Sequence, residues 1–377
     1  MRKKIYYPLL TLTLLAFPFR AWAYPSSSQN GPSDEITPSV GPIPTHTVDC
    51  IFDAEFLWWY SSMTDFSYAI KGETIGTGSP NVNTSVWAPK EKQEFKWEWD
   101  PGLRVGLGVV TNHDGWDVYS EWTYFYNSLS TSSSVPPFND SNLGPFTSVP
   151  VGIEAFTSAW FLTPNGNYFS GIQSKYALLF NQIDLQLGRN YWISRFLSLR
   201  PFVGVRGYWG RLHFSVHGNR PLRADSTFFE TGSTYKQKSW AVGILTGLNT
   251  AWHFTSDWSL FGHVAVALPY GKYWIRRKSF EFQIDQNDAV VGNISVTTRD
   301  TITQTQPFID LTLGIRWETT FNECCRLLFD IGWENHCLVD FNQLFRGTEP
   351  TISQADYPST NGNLTLSGIT ARGRIEF

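Results

Sequence analysis

The chain has 377 residues, a formal net charge of −4, 16% aromatic residues and 16% charged residues. This balance argues against a nucleic-acid partner, which needs clustered Lys and Arg, and the four cysteines match neither a metal knuckle nor a small disulfide scaffold. Beyond the N-terminus no apolar run reaches the roughly 18 residues of a membrane helix, so any membrane role falls to strands.

Arg2, Lys3 and Lys4 form a positive start, followed by an apolar stretch from Ile5 to Phe19. Ala21-Trp22-Ala23 has the small-x-small form of a cleavage site, which predicts a signal peptide over 1–23. The short apolar stretch, broken by Pro18 and Arg20, reads poorly as a permanent anchor. Its removal takes away four basic residues and leaves 25 basic against 33 acidic ones, a mature charge of −8. Residues 24–49 form the next segment, rich in Pro, Ser and Gly as far as Thr47. It reads as a disordered periplasmic leader, with a plug inside the barrel as the alternative.

From residue 50 onward the pattern is alternation. Phe52, Ala54, Phe56, Trp58 and Tyr60 share one face of a first strand, and Asp53 and Glu55 share the other. Leu103, Val105, Leu107 and Val109 alternate around an inward Arg104. After a turn centred on Asp114, Val118, Trp122, Tyr124 and Tyr126 face out, with Asp117 and Glu121 facing in. Ile183, Leu185 and Leu187 alternate with Asp184 and Gln186, and a turn at Ser194 leads to a strand carrying Arg200 and Arg206 inward. Trp240 to Phe254, Trp258 to Leu268, Ile309 to Trp317 and Leu327 to Trp333 follow as two hairpins turning at Ser256 and Asn322. The last strand runs from Leu364 to Phe377, with Ile369, Ala371, Gly373, Ile375 and Phe377 on one face and Thr370, Arg372, Arg374 and Glu376 on the other.

Ten strands result, joined by alternating short and long connections. The long ones are about 61–94, 127–175, 212–238, 270–302 and 338–363. An even strand count with both termini and all short turns on one side is the arrangement of an outer-membrane barrel, whose apolar face meets lipid. The predicted fold is therefore all-β: a transmembrane antiparallel up-and-down β-barrel over 50–377, with periplasmic termini and long extracellular loops. A secreted β-sandwich is the competing reading. The segment Phe280 to Ile284 alternates too, so twelve strands stay open beside ten.

Aromatic residues collect at both strand ends. Trp116, Trp192, Trp252, Trp258, Trp317 and Phe377 fall near the short turns, and Trp58, Trp59, Tyr60, Trp97, Tyr124, Tyr126, Trp209 and Tyr273 near the long loops. Such belts sit at the two lipid–water interfaces. The terminal Phe377 on the lipid face is the expected assembly signal.

Three segments make the chain familiar: Phe52-Asp53-Ala54-Glu55-Phe56-Leu57-Trp58-Trp59, then Trp99-Asp100-Pro101-Gly102-Leu103-Arg104-Val105-Gly106-Leu107-Gly108, then Asp114-Gly115-Trp116-Asp117-Val118-Tyr119-Ser120-Glu121-Trp122-Thr123. With Asp65 to Ala69 between them, they resemble the Legionella-type major outer-membrane protein family, which includes MOMP-like proteins of Chlamydia-related bacteria. The resemblance is strongest over about 50–126 and implies a pore-forming outer-membrane barrel. It transfers no catalytic residues.

Strand parity lines the interior with Arg104, Asp117, Glu121, Asp184, Arg200, Arg206, Arg316, Asp330, Glu334, Arg372 and Arg374. Opposite charges on adjacent strands either brace the wall as ion pairs or bias permeation through a lumen. A barrel of ten to twelve strands leaves at most a narrow conduit. Cys50, Cys324 and Cys325 are disulfide candidates at the periplasmic end, and Cys337 falls near the external end. His213 and His217 share a face but lack a third ligand, so no metal and no cofactor are expected. No G-x-S-x-G elbow appears, and the chain reads as a non-enzyme. The function expected is porin-like passage of small solutes or ions, with a surface-display barrel for adhesion or structure as the alternative. The partners expected are outer-membrane lipid, permeating solutes, the barrel-assembly machinery and, as an open option, further copies in a homo-oligomer.

Overall fold

The computed structural model describes residues 48–76, 85–111, 116–136, 152–161, 169–194, 196–219, 228–284, 289–321, 325–346 and 360–377. The segment read as signal peptide, the leader as far as residue 47, the turns around Asp114 and Asn322, and Cys324 lie outside them; Val48 and Asp49, read as the end of the leader, are already strand.

Every regular element among the described residues is a strand. In chain order they are β1 (Val48–Met63), β2 (Ala69–Gly76), β3 (Ser85–Gln93), β4 (Trp99–Thr111), β5 (Trp116–Ser134), β6 (Glu154–Thr157), β7 (Gly171–Arg189), β8 (Tyr191–Trp192), β9 (Leu197–Asn219), β10 (Phe228–His253), β11 (Trp258–Ile284), β12 (Val290–Thr305), β13 (Phe308–Phe321), β14 (Cys325–Asn342) and β15 (Gly362–Glu376).

Ten of these strands pair in a ring: β1, β4, β5, β7, β9, β10, β11, β13, β14 and β15. Every pairing around the ring is antiparallel, and β15 closes it on β1 with Ile51 opposite Glu376 and Met63 opposite Leu364. Cys50 and Phe377 exchange both backbone hydrogen bonds at the end of this seam, 2.7 and 3.0 Å. A closed ring leaves no unpaired edge, which is why a sheet can stand in hydrocarbon. The strand count of ten holds. The Phe280 to Ile284 segment is the upper end of β11, hydrogen-bonded to β12 in an extracellular hairpin outside the ring.

The strands are longer than their aliphatic alternation suggested. A crossing needs about 9–11 residues, whereas β10 has 26 and β11 has 27. Much of what read as loop at 212–238 and 270–302 is strand continuing past the outer aromatic belt. Just above the belt the outward positions turn polar, as at Arg211, Lys236, Lys238, Arg276 and Lys278, and the hydrophobic signal is interrupted before Phe280. The short turns are closed by local chemistry: the Ser194 hydroxyl accepts from the backbone N–H groups of Phe196 and Leu197, and Thr255 does the same for Asp257 and Trp258.

Outward residues form an apolar band, with Phe56, Leu107, Leu185, Val205, Ile244, Leu313 and Ile331 all exposed. Trp116, Trp252 and Trp258 border it below, and Trp58, Tyr124, Tyr126 and Trp209 border it above. Trp59 and Tyr273 do not belong to the outer belt. Both are buried inside, and Trp97 packs against the interior core, because residues next to a belt position point the other way on a strand. Trp99, Trp240, Trp274 and Trp333 occupy the outer belt instead.

Candidate functional site: the barrel interior

The interior has two layers of opposite chemistry. The lower one, toward the periplasm, is charged. One horizontal row across five neighbouring strands reads Arg316, Asp330, Arg372, Glu55, Arg104. Sign alternates at every step, so the three inner side chains meet their opposite on both sides and the end arginines on one. Arg316 donates to Asp330 at 2.8 and 3.0 Å, and Arg372 donates to the same carboxylate with Nε at 2.8 Å. Arg104 reaches Glu55 at 2.6 Å and lies 3.4 Å from Glu121.

The network also crosses the lumen. Arg104 forks onto Glu334 with bonds of 2.8 and 3.0 Å. Glu334 accepts from His336 Nε2 at 3.1 Å, and His336 Nδ1 donates to Asp310 at 2.7 Å. Carboxylates only accept, so an imidazole held by both nitrogens in this way is the doubly protonated cation. Asp310 then meets Arg206 at 2.5 Å, and Arg206 is forked onto Asp184 at 2.8 and 2.7 Å. An unbroken chain of alternating charge thus runs from β7 to β13. Below it, Arg374 contacts Asp53 at 3.1 Å, Arg200 is forked onto Asp117, and Arg326 joins Glu318 at 2.6 Å to Glu376 at 3.3 Å. Tyr119 donates to Asp53 at 2.7 Å across the position of Gly106, where a Cβ would collide with the phenol oxygen.

All the charged residues read as inward from the sequence face the interior and lie in ion pairs there, most in this network and Asp117, Arg200 and Arg374 in pairs beneath it: Arg104, Asp117, Glu121, Asp184, Arg200, Arg206, Arg316, Asp330, Glu334, Arg372 and Arg374. Asp310, His336, Glu318 and Arg326 were not singled out. Asp310 stands between the outward Ile309 and Leu311, and His336 stands two residues after Glu334, so the parity that places Glu334 inward places them there too.

The upper layer is apolar and is made partly by connections that fold inward. Phe66, from the β1–β2 link, contacts Phe214 on the wall at 4.7 Å and Tyr176 at 5.6 Å. Trp160, from the link after β6, contacts Phe214 at 4.9 Å and Tyr235 at 5.3 Å. Phe95, Phe161, Phe341 and Phe345 fill the space around them. Wall side chains pin these segments by their backbones: Tyr235 donates to the Trp160 carbonyl at 3.0 Å, Arg277 to the Phe161 carbonyl at 2.7 Å, and Gln237 to the Phe341 carbonyl at 2.8 Å. Asp65 and Asp340 take positive φ where the chain turns back into the mouth, a conformation that Asp tolerates better than most residues.

Solvent reaches only the lowest part of the interior. Side chains of Arg316, Arg372, Arg374 and Glu376 keep 17–18% exposure there. The cross-lumen charges Arg104, Glu334, Arg206 and Asp310 keep 7% or less, and the aromatics Phe66, Trp160, Phe214 and Tyr235 keep 3% or less. The interior is a charged vestibule that narrows into dry ion-paired struts beneath a dry aromatic stopper.

Cys50 and Cys325 lie at the lower rim, and Cys337 lies higher on β14 beside Thr365; all three are free thiols. Cys50 and Cys325 flank Phe377 from opposite sides, so one strand separates them by roughly 9–10 Å. That exceeds the reach of a disulfide. His213 and His217 point outward on the extracellular part of β9, and no group of three potential metal ligands occurs among the described residues.

A closed antiparallel ring of even strand number, with an apolar outer band between aromatic belts, defines an outer-membrane β-barrel. The model of the family described as Legionella pneumophila major outer membrane protein precursor matches residues 42–377, and the chain belongs to that family. Among curated proteins no relative matches the sequence. Among solved structures the chain is similar to the outer membrane protease OmpT of Escherichia coli, at 10% identity and a TM-score of 0.39 over 87% of this chain and 96% of that one. It is also similar to a Pseudomonas aeruginosa FadL homologue, at 7% identity and 0.24 over 88% and 90%, and to the Pseudomonas putida toluene transporter TodX, at 10% and 0.22 over 88% and 89%.

Proposed function

We propose that the chain is a pore-forming outer-membrane barrel of restricted passage. Its charged vestibule opens to the periplasm, and its inward-folded loops stop the mouth until they yield. The reading is porin-like, for small ions or solutes, and involves no catalytic step. The observation that supports it is the difference in solvent reach between the vestibule arginines and the aromatic stopper. In the network described above carboxylates outnumber guanidinium groups, which favours cations in transit. Liposome swelling with solutes of graded size tests the proposal. Wild type should admit only the smallest solutes and the Phe66→Ala/Trp160→Ala variant larger ones. Equal impermeability of both, in folded form, would reject a pore.

A surface-display role is the second reading, and one observation favours it. β9, β10, β11 and β12 rise far above the outer belt as a continuous sheet, and the three-stranded sheet β3-β2-β6 lies among the long connections. Ordered surface of this kind suits recognition.

A further inference from the structure

The outward face of β7 and β9 to β12, just above the outer aromatic belt, carries a second charge pattern, opposite in logic to the interior. The row through the belt reads Trp209, Trp240, Lys272. Two residues higher it reads Arg211, Lys238, Trp274. Two higher again, four strands present His213, Lys236, Arg276 and Arg299 side by side. The next row adds Lys278 on β11 and, one strand beyond Ser215, Lys175 on β7. These Lys and Arg side chains are exposed, apart from the half-buried Lys272, which lies 5.5 Å over the Trp274 ring.

Inside the barrel, sign alternates along a row. Here like charges stand directly opposite one another on neighbouring strands, an arrangement that repels. Among the described residues no carboxylate lies within ion-pair distance of Lys236, Lys238, Arg276 or Arg299. Burial and then Lys236 hold the His213 imidazole below its usual pKa. A solvated sheet face gains nothing from such a row. An anion lying across it would offset the repulsion.

The height of the patch selects the anion. Each row rises about 6–7 Å along the strand above the one below, before tilt. The cations therefore begin at the aromatic belt, where headgroups of the outer leaflet lie. Directly beneath them Val242, Ile244, Val205 and Leu268 offer an apolar wall for acyl chains.

We propose that this face binds the phosphorylated sugar headgroup of an outer-leaflet glycolipid, with Lys236, Arg276 and Arg299 on phosphate and Lys238 and Arg211 at the headgroup base. The guanidinium groups match phosphate geometry bidentately, and the Trp209–Trp240 pair seats the lipid at its interface.

The test uses purified, folded protein in neutral detergent, with bound lipid counted by native mass spectrometry. The probes are bisphosphorylated lipid A, its monophosphorylated form, phosphatidylcholine and inorganic pyrophosphate. Wild type should retain bisphosphorylated lipid A best, monophosphorylated less, and phosphatidylcholine least. Lys236→Gln/Arg276→Gln should weaken retention by about tenfold or more, while Lys92→Gln/Lys96→Gln, which removes equal charge elsewhere on the extracellular side, should not. Heat-modifiable migration verifies that each variant is folded. Should the double variant fail to fold, wild-type retention must still fall with added salt and with loss of a phosphate. Retention that ignores salt and phosphate number, or that survives in the folded double variant, overturns the proposal. Displacement of the lipid by equimolar pyrophosphate overturns the assignment to a lipid headgroup in favour of a soluble phosphate ligand.

Discussion

Arg104 on β4 and Glu334 on β14 are 230 residues apart in sequence and are joined across the lumen by two parallel hydrogen bonds. Two other strands, β1 and β15, separate theirs around the wall. The pair is a strut across the barrel, and it ties the closing seam to both of its neighbours. Its geometry matters more than its count as an ion pair, because both groups are buried and each satisfies several partners.

Breaking the strut from one side should destabilise strongly. Arg104→Met leaves Glu55 and Glu334 buried without their shared cation, and loss of one partner of a buried pair costs about 3–5 kcal/mol. Replacing Arg104 and Glu334 together with apolar residues should recover part of that loss. Urea titration of the folded, heat-modifiable band measures both. An Arg104→Met midpoint equal to wild type would show that the strut carries no stability.

The seam supplies a second expectation. Phe377 is exposed on the lipid side and its backbone is paired with Cys50. Deleting it removes the last ladder bonds and the terminal aromatic. The truncated chain should insert poorly, seen as loss of the heat-modifiable form in outer membranes. Undiminished insertion would remove Phe377 from the assembly signal.

Lipid-facing and lumen-facing positions on β15 should respond differently. Ala371→Arg places a charge in the apolar band, at a cost of about 2–4 kcal/mol near the midplane. Arg372→Gln removes a charge from the vestibule but leaves Glu55 paired with Arg104 and Asp330 paired with Arg316, so it should leave insertion intact. Comparing the folded fractions of the two adjacent variants checks the parity directly, and equal defects would contradict it.

Much of this architecture was legible because membrane strands have two unlike faces. The Phe52 to Tyr60 and Ile369 to Phe377 segments announce both their conformation and their orientation. The charges between them, Glu55 and Arg372 among them, follow by parity. The stopper was not legible. Phe66, Phe95, Trp160 and Phe345 sit in connections without periodicity, and their burial depends on segments distant in sequence meeting in one mouth. The extracellular extensions were read as loops for a related reason: once lipid no longer faces the strand, residues such as Lys236 and Arg276 replace the aliphatic signal. His336 escaped notice because its role needs Asp310 and Glu334 together, and register alone brings β13 and β14 into line.

Thiol chemistry should follow the strand spacing. Cys50 and Cys325 should both label with a maleimide in folded, non-reduced protein, and mass mapping should find no Cys50–Cys325 bridge. Finding that bridge would require a different register at the seam.

Single-channel recording in a planar bilayer reaches the central claim of a charged vestibule closed by a loop stopper. Wild type should show rare, small, weakly cation-preferring openings. Phe66→Ala/Trp160→Ala should raise open time and conductance, and adding Arg372→Gln/Arg374→Gln to that background should strengthen the cation preference, because carboxylates then dominate the lumen. A folded stopper variant that stays silent, or selectivity indifferent to the two arginines, would contradict the account.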